Sequence, residues 1–127
     1  MKRNRIKQLA DIGCPHSVTV SAEANISFLS GQTALSADWQ VQGGDTVVGQ
    51  AEFAIANLTT ALTGIGADAS NVAKLTIYLK EMDIEISTKL AELLNQHGLG
   101  DCATTVIGVS VIGIGNCKIE IDATVVT

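Results

Sequence analysis

Residues 47–80 read VVGQAEFAIANLTTALTGIGADASNVAKLTIYLK, and this stretch decides the fold. Val47, Ala51, Ala54, Ile55, Leu58, Leu62 and Ile65 recur at helical spacing. They draw one apolar stripe along a helix of about five turns. Gly64 and Gly66 break that pattern, and residues 67–71 read as a turn. In the run that follows, Ala73, Leu75, Ile77 and Leu79 alternate with Lys74, Thr76, Tyr78 and Lys80. Period two predicts a strand with one face on a core and the other wet or covered by a partner. A long amphipathic helix feeding such a strand is the unit of a two-layer fold with helices on one side of a sheet.

Downstream, Ile86, Leu90, Leu93 and Leu94 predict a second helix over 84–97, with Asp83 as cap and Gly98 as stop. Residues 106–112 are apolar on both faces, the pattern of a central strand, and 113–116 make a turn. In residues 118–125, Ile119, Ile121, Ala123 and Val125 are expected to face inward. Upstream, Val18 and Val20, then Ile26, Phe28 and Leu29, predict two short strands joined by a turn at 21–25. Ser30-Gly31-Gln32 is expected to end the second of these. Residues 33–44 are irregular, with Trp39 their one large apolar group, and Asp45 or Thr46 is the expected cap of the first helix. The reading is therefore α+β, with two helices on one face of a mixed sheet. The other face would be left bare in a monomer, so subunits are expected to pack sheet against sheet.

The 127 residues show no composition shift that would separate two domains, so one domain is expected. Nearly half are hydrophobic but only 3% are aromatic, so Val, Ile, Leu and Ala must build the core. Charged residues are scarce, which agrees with some surface being buried between subunits. Lys2, Arg3, Arg5 and Lys7 form a basic arm or first strand within residues 1–12, with Ile6, Leu9 and Ile12 as its packing points. The net charge is −5, and beyond the arm the chain is strongly acidic. An acidic body repels a polyanion, so nucleic acid is not an expected partner. No run has the length of a signal peptide's apolar segment or of a membrane span. Cys14, Cys102 and Cys117 are an odd number at irregular spacing, the usage of a reducing, cytoplasmic compartment.

Unaided, the residues declare no nucleophile. Cys14-Pro15-His16 offers a thiol and an imidazole, but Cys102, Cys117 and His97 are scattered, so packing or surface roles outweigh a zinc site or a Cys–His pair. Gly43-Gly44-Asp45 lacks the spacing of a phosphate loop and reads as a flexible turn and cap. Glu120 and Asp122 share a strand face and could work as paired carboxylates. With Lys118 beside them a solvated face is the plainer reading. Glu81, Asp83 and Glu85 read as the charged start of a helix.

The order of segments resembles the RidA/YjgF family, also called endoribonuclease L-PSP or reactive intermediate deaminase. The resemblance is carried by Ser30-Gly31-Gln32 after an apolar strand and by Gln50, Asn57-Leu58 and Ala61-Leu62 in the first helix. Gly66-Ala67-Asp68, the strand from Val72 with Lys80-Glu81-Met82, and the closing Lys118-Ile119-Glu120-Ile121-Asp122-Ala123 complete it, over residues 13–126. It implies a chorismate-mutase-like α+β fold and a homotrimer with ligand clefts between subunits. It also implies hydrolysis of enamines and imines to a 2-keto acid and ammonia, without metal or organic cofactor.

By the same resemblance, Ser30 and Gly31 are pocket groups. The family arginine that clamps the substrate carboxylate falls on Thr104 or Thr105, beside Cys102. The family glutamate falls near Gly108 or Val109, the tyrosine on His16, and the asparagine of the second helix on Ser87 or on no residue of this chain. Losing a desolvated, charge-assisted arginine clamp costs about 1.5–3 kcal/mol. His16 is then the one titratable group at a family pocket position, a candidate base or donor, although a structural role is equally in view. The resulting expectation is a trimer that binds a small metabolite with weak or altered imine chemistry. The alternatives are a deaminase using another basic group, or a non-catalytic interaction or regulatory trimer.

Overall fold

The computed structural model describes residues 1–11 and 13–127, so the packing point expected at Ile12 lies outside the described residues. Strands β1 (Lys2–Asn4), β2 (Ser17–Thr19) and β3 (Ile26–Thr33) precede helix α1 (Val47–Gly64). Strand β4 (Val72–Leu79), helix α2 (Ile84–Gln96), β5 (Ala103–Gly108) and β6 (Ile119–Val126) complete the order. The main sheet runs β3-β6-β4-β5, and β1 and β2 form a separate two-stranded ribbon. Within the main sheet β4 and β5 are parallel, and β6 is antiparallel to both β3 and β4. This is an α+β mixed sheet with two helices.

Helix α1 forms where the apolar stripe predicts it. Thr46 is its cap, its side chain accepting the Gly49 N–H. Val47, Ala51, Ala54, Ile55, Leu58 and Leu62 are buried against Leu75, Ile77, Leu79, Ile119, Ile121 and Val125. Ile65 leaves the stripe and is 45% exposed, because the helix ends one residue earlier. Asp83 caps α2 by accepting the Ile86 N–H, and Gly98 takes a left-handed φ of 74° just past its end.

Several expectations are corrected. β2 pairs with β1 rather than with β3, so residues 21–25 connect two sheets instead of closing a hairpin. Ser30-Gly31-Gln32 does not end β3. The strand runs to Thr33 through a bulge between Leu29 and Gln32. A second bulge between Val72 and Lys74 places Val72, rather than Ala73, in the core cluster with Leu75. The two-sided apolar run at 106–112 is not a central strand. Its strand is Ala103–Gly108 at the sheet edge, and the centre is held by β4 and β6. An edge strand that is apolar on both faces reads the same as a buried centre, which is why pattern alone misplaces it. In the arm, Ile6 and Leu9 are exposed rather than packed.

The pairing register assigns each face. Thr104, Val106 and Gly108 share the helix side with Leu75, Ile77 and Leu79, and Thr105 and Ile107 share the outer side with Thr76 and Tyr78. Glu120, Asp122 and Thr124 also face outward, and Phe28 beside Thr124 is 80% exposed. Among the described residues no helix is long and apolar enough to cross a membrane.

Candidate functional site

Two concave regions lie on opposite faces of the sheet. The first, about 280 Å³, opens on the helix side between α2, β5 and the arm. Leu90, Ala91, Leu94, Leu99 and Val106 line it, with Ser87, Asn95, Thr104 and Cys14 as its polar groups. It sits where it does because α2 packs Leu90 and Leu94 on the core and turns Ser87 and Asn95 toward the β5 edge. Asn95 leans on Gly100 so closely that a β-carbon there would meet its Oδ1 at 1.7 Å.

Ser87 and Thr104, both expected site residues, therefore share this cavity. Cys102 lies just beneath it. Its Sγ donates to the Leu99 carbonyl at 3.0 Å and lies 3.7 Å from Thr104 Oγ1. Burial pushes the Cys102 thiol up from the ordinary cysteine range, so it is held as the neutral thiol. The Thr104 hydroxyl donates to the Cys102 carbonyl at 3.3 Å, which leaves its lone pairs for a ligand donor. Thr105 points to the other face, where Lys74 Nζ donates to its hydroxyl.

His16 does not join the cavity lining. Its Nδ1 accepts the Ile6 N–H at 3.0 Å, so Nε2 carries the proton and donates to the Ala10 carbonyl at 2.8 Å. Both ring nitrogens are thus occupied by the backbone of the arm's own loop. Arg5 closes that loop on Asp11 at 3.2 Å and on the carbonyls of Gly13 and Cys14. Arg3, the other arginine in the chain, pairs with Asp101 at 3.3 Å and donates to the Ser70 carbonyl at 2.8 Å.

The second region, about 210 Å³, lies on the outer face and is lined by Tyr78, Val109, Val111, Ile112, Gly113, Glu120 and Asp122. Tyr78 donates to Asp122 Oδ2 at 3.3 Å. The Asp122 charge, helped by partial desolvation, that bond and Glu120, raises the phenol above its ordinary range. Lys118 does not neutralise this pair of carboxylates. It turns to Glu81 at 2.6 Å and Asp45 at 3.5 Å, and Glu81 raises the ammonium above the ordinary lysine range. Glu120 instead lies over Gly31. Ser30 and Gly31 belong to β3, the edge opposite β5, so about 14 Å of sheet separates them from Thr104. Within one chain Ser87, Thr104 and Cys102 form one group and Ser30 and Gly31 another, while Thr105 lies on the outer face of β5 and His16 in the arm, apart from both.

Sequence reasoning pairs Glu120 with Asp122 but misses Tyr78 beside them. The alternation assigns all three to wet faces, but only the β4–β6 register makes them neighbours. Gln50 and Asn57, which carry part of the resemblance, are structural. Buried Gln50 donates to the Gly44 and Asn116 carbonyls and accepts the Lys118 N–H, while Asn57 ties α1 to the Thr33 and Leu35 carbonyls. Among the described residues no three His, Cys, Asp or Glu side chains are grouped to hold a metal ion.

This mixed sheet with two helices, concave on both faces, defines a class of small α+β proteins. The chain belongs to the endoribonuclease L-PSP family, the RidA/YjgF superfamily, whose model matches residues 12–127. It is 35% identical over 116 residues to protein DfrA of Myxococcus xanthus, covering 89% of this chain and 86% of that protein. The Rid-family protein YyfB of Yersinia pestis is 25% identical with a TM-score of 0.81, covering 98% of this chain and 96% of that one. RidA of an Antarctic Psychrobacter, 20% identical over 89% of this chain and 87% of its own, shares the fold at a TM-score of 0.70.

Proposed function

We propose that the protein is a homotrimer that binds a small metabolite in clefts between subunits, with weak or altered imine chemistry. The observation that carries this reading is the split of the site residues. Thr104, Ser87 and Cys102 gather at the β5 edge, while Ser30, Gly31 and Glu120 gather toward the β3 edge. One chain cannot close a site from both, whereas a neighbour's β3 edge brought to the β5 edge does. The exposed Phe28, Ile107 and Val111 supply apolar surface for that contact.

The whole chain acts as one domain with a basic N-terminal arm. Its three free cysteines suit the cytoplasm. Thr104 or Thr105 takes the place of the family arginine, so a 2-imino or 2-keto acid would have lost its carboxylate clamp. Water activation in such a cleft would fall to Glu120, a half-buried carboxylate beside Tyr78, rather than to His16 with its two occupied nitrogens. No cofactor is required for that chemistry.

The test is an imine-trapping assay. An amino-acid oxidase generates the imine, semicarbazide traps it, and the trap product is followed with and without the protein. Weak suppression that disappears in Glu120→Gln supports the reading. Full, family-like turnover would favour a true deaminase that has recruited another basic group.

A further inference from the structure

The cavity at the β5 edge differs from the site the family chemistry needs in its charge. Its polar groups are a hydroxyl at Ser87, a carboxamide at Asn95, the acceptor face of Thr104 and the Cys14 thiol, and no side chain lining it is ionic. The two arginines of the arm and Lys74 of β4 have partners elsewhere. Arg3 is bound to Asp101 and Ser70, Arg5 to Asp11 and the backbone, and Lys74 lies on the opposite face of the sheet with Thr105. The body around it is acidic. A carboxylate placed here would meet neutral donors but no cation, so its charge would go unpaired.

What the cavity offers is complementary to a different ligand. Leu90, Leu94 and Val106 make an apolar floor, and Ser87, Asn95 and Thr104 converge on its rim with neutral donors and acceptors. Neither Ser87 nor Asn95 has a side-chain hydrogen-bond partner among the described residues, so both remain for a ligand. At about 280 Å³ the space sits just below the ~300–1,000 Å³ of common ligand pockets, enough for a small molecule.

We infer that this cavity selects a neutral, largely apolar ligand carrying one carbonyl or amide group, and discriminates against the 2-keto and 2-imino acids that the family takes. The inference rests on the proposed metabolite cleft and names its substrate class. A carbonyl oxygen would accept from Ser87 or the Asn95 amide, an N–H would donate to Thr104, and the aliphatic part would lie on Leu90 and Val106.

Two probes that share the ketone and the branched chain, one with a methyl group where the other has a carboxylate, decide it: 4-methyl-2-pentanone and 4-methyl-2-oxopentanoate, titrated against the full chain with the methyl resonances of Leu90, Leu94 and Val106 observed by NMR. The ketone is expected to bind more than about tenfold tighter than the keto acid, the size of one unmet charge-assisted interaction. Thr104→Arg is expected to reverse the order. Should that variant fold poorly, Ser87→Ala together with Asn95→Leu is expected to weaken ketone binding several-fold and leave the keto acid unchanged. Tighter binding of the keto acid by the unmodified protein overturns the inference and would mean that a neighbouring subunit supplies a cation. Shifts of these methyls with neither probe overturn it as well. The intersubunit cleft is judged separately, by the mass of the particle in solution: a monomer that still prefers the ketone leaves the inference standing and removes the cleft.

Discussion

Gly31 and Glu120 meet across the β3–β6 ladder so closely that a β-carbon on Gly31 would lie 1.9 Å from Glu120 Oε1. The absence of a side chain at 31 is what lets the carboxylate lie over the β3 bulge. The clashing atoms, Oε1, Cδ and Cγ, all belong to one flexible side chain, so Gly31→Ala is expected to move Glu120 rather than unfold the protein. Stability should change by less than about 1 kcal/mol. A shifted Glu120 carboxylate resonance with a nearly unchanged melting temperature is the expected result. An unmoved carboxylate would show that the backbone yields instead.

Gln50 is a second fixed point. Its buried carboxamide holds Gly44, Asn116 and the Lys118 N–H, the last at 2.8 Å. Gln50→Leu keeps similar bulk but strands those backbone groups. Urea denaturation should report a loss on the order of 2–3 kcal/mol. A loss below about 0.5 kcal/mol, the range of an ordinary surface change, would mean that water replaces the side chain.

Thiol chemistry separates the cysteines. Cys102 is buried with a raised pKa, Cys117 is buried, and Cys14 is partly open at the cavity rim. A thiol reagent at neutral pH should give one fast phase and two slow ones, and Cys14→Ser should remove the fast phase. Fast labelling that survives this substitution would place a reactive thiolate at Cys102 or Cys117.

Tyr78 is the one tyrosine of the chain, so its ionisation can be followed alone by ultraviolet absorbance. Asp122 raises its folded-state pKa above that of the unfolded chain. The stability linked to Tyr78 is therefore complete below the ordinary phenol pKa, and is lost as pH rises through the higher folded value. Asp122→Asn should bring the absorbance midpoint down toward the ordinary value and shift the alkaline fall in stability with it. An unchanged midpoint would show that Asp122 is not the cause.

Much of the fold was legible because its signals are local. The 3.6-residue stripe from Val47 to Leu62 and the alternation in β4 and β6 depend only on which side of each element meets the core. Asp83 was readable as a cap, and the first helix's cap as Asp45 or Thr46, because a short oxygen-bearing side chain before an apolar run has a specific use there. Strand order was not local. Residues 106–112 look central because both faces are apolar, yet β5 is an edge whose bare faces suit contact with another subunit. The bulges at 29–32 and 72–74 shift register by one residue, which hydropathy does not record.

The site was legible only in halves. Ser87 and Thr104 meet in one cavity. His16 takes a position that pointed to chemistry and uses both nitrogens to hold the arm. The grouping of Glu120 with Gly31 and Tyr78 depends on pairing across three strands, and no spacing along the chain announces it.

In the proposed trimer the two halves of the site meet between subunits. Light scattering coupled to gel filtration measures this most directly. The expected particle has three times the 13.2 kDa mass of the chain, and Ile107→Asp on the β5 edge is expected to dissociate it. A monomer of the unmodified protein at micromolar concentration would contradict the claim and leave two separate half-sites on one chain.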